Sequence, residues 1–376
     1  MLKIGTDFSG IGAPEQALKK LGIEHKSMFA CDVDKYAQQS FLANYKTEQF
    51  YDDITTRNHK ETPYVDLYVA GFPCQAFSMA GKRKGFDDTR GTLFFDLLNY
   101  LNETRPKYFI LENVKGLISH DGGKTLAIIM DCLAKTVNGQ YSFTMYDEGL
   151  NYYVYYKVLN TKDFGIPQNR ERIFIVGFRD EKHNFKFPKK IPLELKLKDI
   201  VTKLDEVDKK YYLSKTAINK IERHKNTSLN NDISNTIHAG YYKMGGRDQQ
   251  YISCNKISND NKSTFRVTGC ATRGRKRNGA NQYSGELEVR DDELANTITT
   301  VQQTSMLKID TDKTFIRRLT PLECLRLQGF PDSFYHKCKT EGVSDTQLYK
   351  QAGNSMTVNV MSALINEILK NENNGN

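Results

Sequence analysis

The sequence predicts an α/β protein: a mostly parallel sheet covered by helices on both faces, with a second, smaller, irregular domain. Two observations carry this. Short apolar runs alternate with helical patterns through the first 180 residues, and the alternation stops after about Asp180. Alternating strand and helix periods are the pattern of parallel α/β sheets.

Taken in order, the runs "LKIGTDF" (2–8), "KSMFACDV" (26–33), "VDLYVAGF" (65–72), "KYFILENV" (107–114) and "RIFIVGF" (172–178) read as buried strands. Between them, "PEQALKKLG" (14–22), "KYAQQSFLANY" (35–45) and "TLFFDLLNYLNE" (92–103) read as helices. Residues 183–313 are instead rich in Asn, Lys, Ser, Gly and Arg, and contain a short echo, "DISNTI" (232–237) and "ELANTI" (293–298). Helical periodicity returns from "LTPLECLRLQGFP", and "TVNVMSALINEILK" reads as an amphipathic helix. The boundaries expected are 1–182 for a catalytic and ligand-binding domain, completed by 345–376. A second domain with its return segment spans 183–344.

Composition narrows the classes. Of 376 residues, 39% are hydrophobic and 26% charged, which fits a soluble globular protein rather than a disordered one. No apolar stretch approaches a membrane span, and no basic-then-apolar leader opens the chain, so a cytoplasmic protein is expected. A net charge of +9 favours an anionic partner, nucleic acid first. Seven cysteines form an odd, scattered set without a Cys-x-x-Cys pair, which argues against a disulfide framework or a structural zinc site; no metal is expected.

Candidate site residues cluster at predicted strand ends, where α/β sheets bind ligands. In "DFSGIGAPEQAL", Gly10 and Gly12 permit a tight turn into a helix that starts near Pro14, although the third glycine of a dinucleotide fingerprint is missing. Asp32 closes the second strand, where an acid can accept both ribose hydroxyls. Asp53 and Ile54, in "DDI", are placed to meet and cap an adenine. Together they suggest an adenosine-containing ligand; strand-end surface carboxylates are the bland alternative. Cys74 ends "VAGFPC", just ahead of the polar segment "SMAGKRKGFDDTRG". Alone it reads as a small buried hydrophobe. Its strand-end position and the cations Lys82, Arg83, Lys84 and Arg90 read instead as a thiolate under a lid. Glu112 leaves the next strand at the same sheet edge, or else is a helix-capping carboxylate. Arg170 and Arg172 in "QNRERIF" have strand spacing, which would put both on one face.

In this order the motifs resemble the DNA cytosine-5 methyltransferases of bacterial and phage restriction-modification type. "DFSGIG", "GFPCQAFS", "ENV", "QNRERIF", "RRLTPLECLRLQGFPD" and "QAGNSMTVNV" are similar to six of that family's motifs, over 1–180 and 315–365. The resemblance implies a Rossmann-like S-adenosylmethionine-dependent methyltransferase sheet, with residues 183–313 as the target-recognition domain. It implies methyl transfer to C5 of a cytosine within a specific double-stranded DNA sequence, by base flipping, with S-adenosylhomocysteine as product.

By the same resemblance Cys74 is the nucleophile that adds at C6, Glu112 contacts N3 and the N4 amino group, and Arg172 binds O2 with support from Arg170. Phe8 stacks on the adenine. Ser9, Gly10, Ile11, Gly12, Asp32, Val33, Asp53, Ile54, Pro73, Leu93, Asn354 and Ser355 complete the cofactor pocket. Asp32 departs from the family, which more often has glutamate there. DNA contacts fall to Ser78, Lys82, Arg83, Lys84 and Arg90 in the 75–92 loop. In the recognition domain they fall to Tyr242 and Arg247 of "HAGYYKMGGRD", to Arg273, Arg275 and Arg277 of "TRGRKRNG", and to Thr297. Phosphate contact is expected of most of these cations. A monomer paired with a restriction endonuclease is implied. Three alternatives stay open: a nicotinamide oxidoreductase, a tRNA-directed member of the same family, and a non-catalytic DNA-binding relative. The first leaves Cys74, Glu112 and Arg172 unexplained, and the last should have lost the nucleophile or glutamate.

Overall fold

The computed structural model describes residues 1–73, 93–141, 149–180, 185–212, 214, 229–230, 249–256, 265–276, 283–290, 295–296, 306–309 and 315–373; for 141, 204, 371–373 and those of the described residues that lie between 229 and 316 it describes the backbone alone. Packing divides the chain into two compact units, 1–159 with 171–189 and 360–376, and 160–170 with 190–359. The expected catalytic stretch 1–182 thus lends residues 160–170 to the second unit, and the stretch 345–376 is shared between the two.

The first unit is built on β1 (Leu2–Asp7), β2 (His25–Cys31), β3 (Gln49–Tyr51), β4 (Leu67–Ala70), β5 (Tyr108–Val114), β6 (Ala134–Val137), β7 (Gln140–Tyr141) and β8 (Tyr152–Asn160). After the two-residue β9 (Gln168–Asn169) comes β10 (Glu171–Phe178). The sheet has nine strands in the order β3-β2-β1-β4-β5-β10-β8-β6-β7. The run from β3 to β5 is parallel, and β10 is antiparallel to β5. Five of these strands match the predicted runs; β3, β6, β7 and β8 are additions.

The helices α1 (Ala13–Leu21), α2 (Lys35–Asn44), α3 (Leu93–Thr104) and α4 (Lys124–Leu133) follow the predicted periodicity or extend it. α1 starts after Gly12 in the left-handed region, has Pro14 in its first turn, and stops at Gly22, also left-handed. α2 is capped by Asp34, whose carboxylate accepts from the amides of Tyr36 and Ala37. Strand order grows outward from β1 to β3 and then restarts at β4 on the other side of β1. That reversal is the topological switch point, and it opens a crevice at the carboxyl ends of β1 and β4. The core beneath it is aromatic: Tyr100 packs on Phe29 and Tyr68 with ring centroids 5.1 and 4.9 Å apart. Gly5 on β1 leaves the room that the Phe29 ring occupies.

The second unit is more regular than its composition suggests. It holds a six-stranded sheet, in the order β11-β14-β13-β12-β16-β17, made of β11 (Leu229–Asn230), β12 (Gln249–Lys256), β13 (Phe265–Lys276), β14 (Tyr283–Arg290), β16 (Met306–Ile309) and β17 (Phe315–Arg318). Strands such as "FRVTGCATRGRK" mix polar and small residues with few aliphatics, so no apolar run announces them. β15 (Ala295–Asn296) pairs in parallel with β9. Beyond β17 lie helices Pro321–Arg326, Asp332–Thr340 and Asp345–Asn354. Arg317 and Glu323 form a fully buried ion pair of 2.9 Å where β17 passes into the first of them, and Glu323 also closes the capping box of Thr320. Among the described residues no helix is long and apolar enough to cross a membrane.

Candidate active site

β4 and β5 run side by side, Ala70 opposite Leu111, and both end at the crevice edge. From β4 the chain passes through half-buried Gly71, buried Phe72 and exposed Pro73. Asn113 near the end of β5 donates through Nδ2 to the Phe72 carbonyl at 2.9 Å. Its Oδ1 accepts from the Val114 amide at 2.8 Å, so both ends of this buried amide are used. The strand that delivers Pro73 is therefore clamped to β5. Cys74 itself, with Ser78, Lys82, Arg83, Lys84 and Arg90, lies outside the described residues.

Glu112 sits one residue back on β5, and Arg172 enters on β10, where Phe174 faces Glu112 and Arg172 faces Val114. The offset makes Glu112 and Arg172 diagonal neighbours on one face. Arg172 Nε lies 3.1 Å from Glu112 Oε1, with side chains 15% and 12% exposed. A carboxylate and a guanidinium thus meet, nearly dry, at the ends of neighbouring strands, each with polar atoms that can receive a ligand. Burial draws the Arg172 pKa below its ordinary value while Glu112 opposes the shift; the group stays charged at any physiological pH.

Arg170 takes a different place from the one its spacing predicts. β9 ends at Asn169 and β10 begins at Glu171, so Arg170 falls in the break and strand alternation does not carry through it. It belongs to the second unit, is 3% exposed, and donates through Nη2 to the carbonyls of Gly353 and Ser355 at 3.1 and 2.9 Å. It thereby holds the turn containing exposed Asn354 and buried Ser355. Thr297 lies outside the described residues, as do Tyr242, Arg247 and Arg277. The segment leading to Thr297 is described: Asn296 pairs with Asn169, beside Arg170. The second copy of the echoed "NTI" is thus the one whose strand placement is described.

The glycine loop lies at the switch point. Phe8 and Gly10 both have φ of 53°, and Gly12 has 78°. A non-glycine residue held left-handed is strained backbone of the kind that concentrates at functional sites. A Cβ on Gly10 would meet nothing nearer than the Phe8 carbonyl oxygen at 4.0 Å, so its outer side is open, whereas one on Gly12 would strike Tyr45 at 2.5 Å. Gly10 thus leaves room for a ligand, and Gly12 for packing. Ile11 is 1% exposed and turned into the core. Ser9 uses its hydroxyl to tie β1 to β2: its single proton is shared between the Thr6 and Cys31 carbonyls at 2.9 and 3.1 Å, and its oxygen accepts from the Cys31 amide at 2.8 Å.

Asp32 accepts from the Gly10 amide at 2.8 Å through one oxygen and from the Asp34 amide at 2.9 Å through the other. It thereby braces the glycine loop against the start of the next helix. Val33 beside it is 73% exposed. Asp53 accepts from the amide and hydroxyl of Thr55, and Ile54 is 3% exposed. Leu93 heads α3, half-buried against the aromatic core.

Sequence reasoning missed what joins these loops. Asp7, the last residue of β1, is bridged by both terminal nitrogens of Arg57 at 2.6 and 2.7 Å and receives the Tyr68 hydroxyl at 2.6 Å. An arginine inside "TTRNHKET" reads as a solvated loop cation, and nothing local signals its partner. Asn113 was visible within "ENV", but its bond to Phe72 required knowing that β4 and β5 are neighbours.

An open α/β sheet with a glycine loop at its switch point and a carboxylate–guanidinium pair at the next strand edge defines a nucleotide-binding type of α/β enzyme. Comparison makes the class specific: residues 3–370 match the family model for C-5 cytosine-specific DNA methylases, and the chain belongs to that family. It is similar to the orphan methyltransferase M.SPRI of Bacillus phage SPR, with 32% identity over 98% of this chain and 97% of that one. It is also similar to the type II methyltransferase M.HpaII of Haemophilus parainfluenzae, with 36% identity over 96% and 88%. The Dnmt2 methyltransferase of S. pombe, at 19% identity, shares the fold with a TM-score of 0.63 over 99% of this chain and all of that chain.

Proposed function

We propose that this enzyme transfers a methyl group from S-adenosylmethionine to C5 of one cytosine within a specific double-stranded DNA sequence, through a covalent adduct of Cys74 with C6. The observation that carries the reading is the Glu112–Arg172 pair beside the strand that leads, through Pro73, to Cys74. Cytosine C5 is a poor nucleophile until a group adds at C6. A thiolate suits that addition and can leave afterwards. Glu112 delivers or shares a proton at N3 as Cys74 adds, so the ring does not accumulate charge, and Arg172 holds O2. After methylation, loss of the C5 proton expels Cys74. Neither C5 nor C6 can be reached inside a duplex, so the base is extruded, with the 75–92 loop closing over it.

The residues present fit the methyl donor. The open side of Gly10, the strained Phe8, half-buried Asp32 and exposed Val33 form a cradle suited to an adenosine group. Asp53 and Ile54 lie on the adenine side, with Pro73 and Leu93 as further contacts. When bound, that cofactor supplies an electrophilic methyl; the chain's own residues orient the base and manage its protons.

Residues 183–344 read the DNA sequence and return the chain, and the modification protects DNA from a restriction endonuclease. Bisulfite sequencing of unmethylated plasmid DNA incubated with the enzyme and S-adenosylmethionine tests the reading. Methylation at one position of a short recurring sequence is expected; modification of tRNA and not of duplex DNA would overturn it. DNA carrying 5-fluorocytosine, which cannot release a proton from C5, should trap a denaturation-resistant complex with the wild type and none with Cys74→Ser.

A further inference from the structure

The described hydrogen bonds of residues 53–62 are local, among Asp53, Thr55 and Thr56 and among Asn58 to Thr62, with one exception. That exception is Arg57, whose guanidinium crosses to Asp7. Both side chains are fully buried. The guanidinium carbon also lies 4.8, 5.2 and 5.3 Å from the ring centres of Phe29, Tyr51 and Tyr100, which form an aromatic box around it. Nε has no acceptor among the described residues, so the hydrogen bonding of this cation rests on one carboxylate.

The pair joins the two loops that carry the adenosine reading. Asp7 directly precedes the left-handed Phe8 and the glycine loop, while Arg57 follows Asp53 and Ile54 by one turn of loop. Tyr68 on β4 also donates to the second carboxylate oxygen, so two adjacent strands orient the acceptor. A buried ion pair is weak evidence for stability, because desolvation offsets attraction. What a bidentate pair supplies is geometry: two parallel bonds fix distance and angle together. Neither side chain is exposed, so the pair acts through the backbone on either side of it.

We propose that Arg57 is a positioning residue for the cofactor pocket: clamped to Asp7, it holds the Asp53–Ile54 loop in register with the glycine loop and so sets affinity for S-adenosylmethionine. This rests on the methyl-donor reading above. A lysine at 57 keeps the charge yet makes a single point contact, so it is the discriminating change.

Isothermal titration calorimetry of wild type and Arg57→Lys with S-adenosylhomocysteine, alongside kinetics and melting of the free protein, tests the idea. Expected is a weakening of S-adenosylhomocysteine binding by tenfold or more. The matching kinetic loss falls on KM for S-adenosylmethionine, while KM for DNA is unmoved. Binding within twofold of wild type, or equal losses for cofactor and DNA, would overturn the proposal. Hydrogen exchange on the wild type gives an independent arm should the variant not fold. Amides of 8–12 and 53–57 are expected to gain protection together when S-adenosylhomocysteine binds; protection confined to 8–12 would overturn it. A wild type that binds no S-adenosylhomocysteine would remove the methyl-donor reading itself, a distinct result.

Discussion

Glu112 and Arg172 form one ion pair, yet the proposed mechanism asks different things of them, and substitution should separate the two. Glu112→Gln keeps size and a hydrogen bond but cannot pass a proton to N3, so kcat is expected to fall about 10²- to 10⁴-fold. Binding of S-adenosylhomocysteine should be little changed, and single-turnover methylation with parallel calorimetry checks both. Glu15 is a second informative residue. It is 1% exposed on α1, with one oxygen 3.4 Å from the Thr6 hydroxyl and the other without a partner among the described residues. Burial raises its pKa from the ordinary 4.5 to about 7, against smaller opposing contributions from hydrogen bonds to its own backbone amide and Thr6. Between those values the unfolded chain has lost the proton that the folded chain keeps, so stability falls as pH rises through this window and is level above it. The full effect is on the order of 3 kcal/mol. Urea unfolding of wild type and Glu15→Gln from pH 4.5 to 8 should show the variant gaining relative stability as pH rises.

At the scale of elements, the turn from β1 into α1 joins sheet to site. Gly12 needs its left-handed φ of 78° and the space that Tyr45 fills. Gly12→Ala combines backbone strain with a ring collision, and should destabilise by more than the roughly 1 kcal/mol of an ordinary glycine replacement. A lower urea midpoint with an unchanged m-value would be the signature. The glycines and Pro14 made this turn readable in the sequence, as the alternation of strand and helix periods made the parallel sheet readable. β8 and the second unit's sheet were not readable in that way. "YYVYYKVLN" mixes ring and aliphatic residues without clean alternation, and β12 to β14 carry too many polar and small residues to stand out from loop. Arg170 shows the same limit: period-two spacing placed it with Arg172, but a one-residue break between β9 and β10 sends it to the Gly353 and Ser355 carbonyls.

The whole molecule carries a net charge of +9, and a DNA-binding reading makes that charge measurable. Each phosphate neutralised releases counterions and adds about −0.9 to the slope of log affinity against log salt. Arg273 and Arg275 are two apart on β13, in register with Glu286 and Ser284 of β14. If both contact phosphate, Arg273→Ala and Arg275→Ala should each make the slope shallower by about 1 and leave the methylated sequence unchanged. Fluorescence anisotropy between 50 and 200 mM salt, at order-of-magnitude precision, reads the slope; bisulfite sequencing reads the site.

By itself the sequence determined the parallel sheet, the glycine turn, the places of Asp32 and Glu112 at or near strand ends, and the collinear motifs that mark the family. These follow from local periodicity and backbone geometry, which a few neighbouring residues specify. Only the tertiary structure decided which side chains meet: Arg172 with Glu112, Asn113 with Phe72, Arg57 with Asp7. Those partnerships depend on β10 lying beside β5 and on β1 lying between β2 and β4. Strand order is set by the packing of the whole core, which no local stretch of the chain encodes.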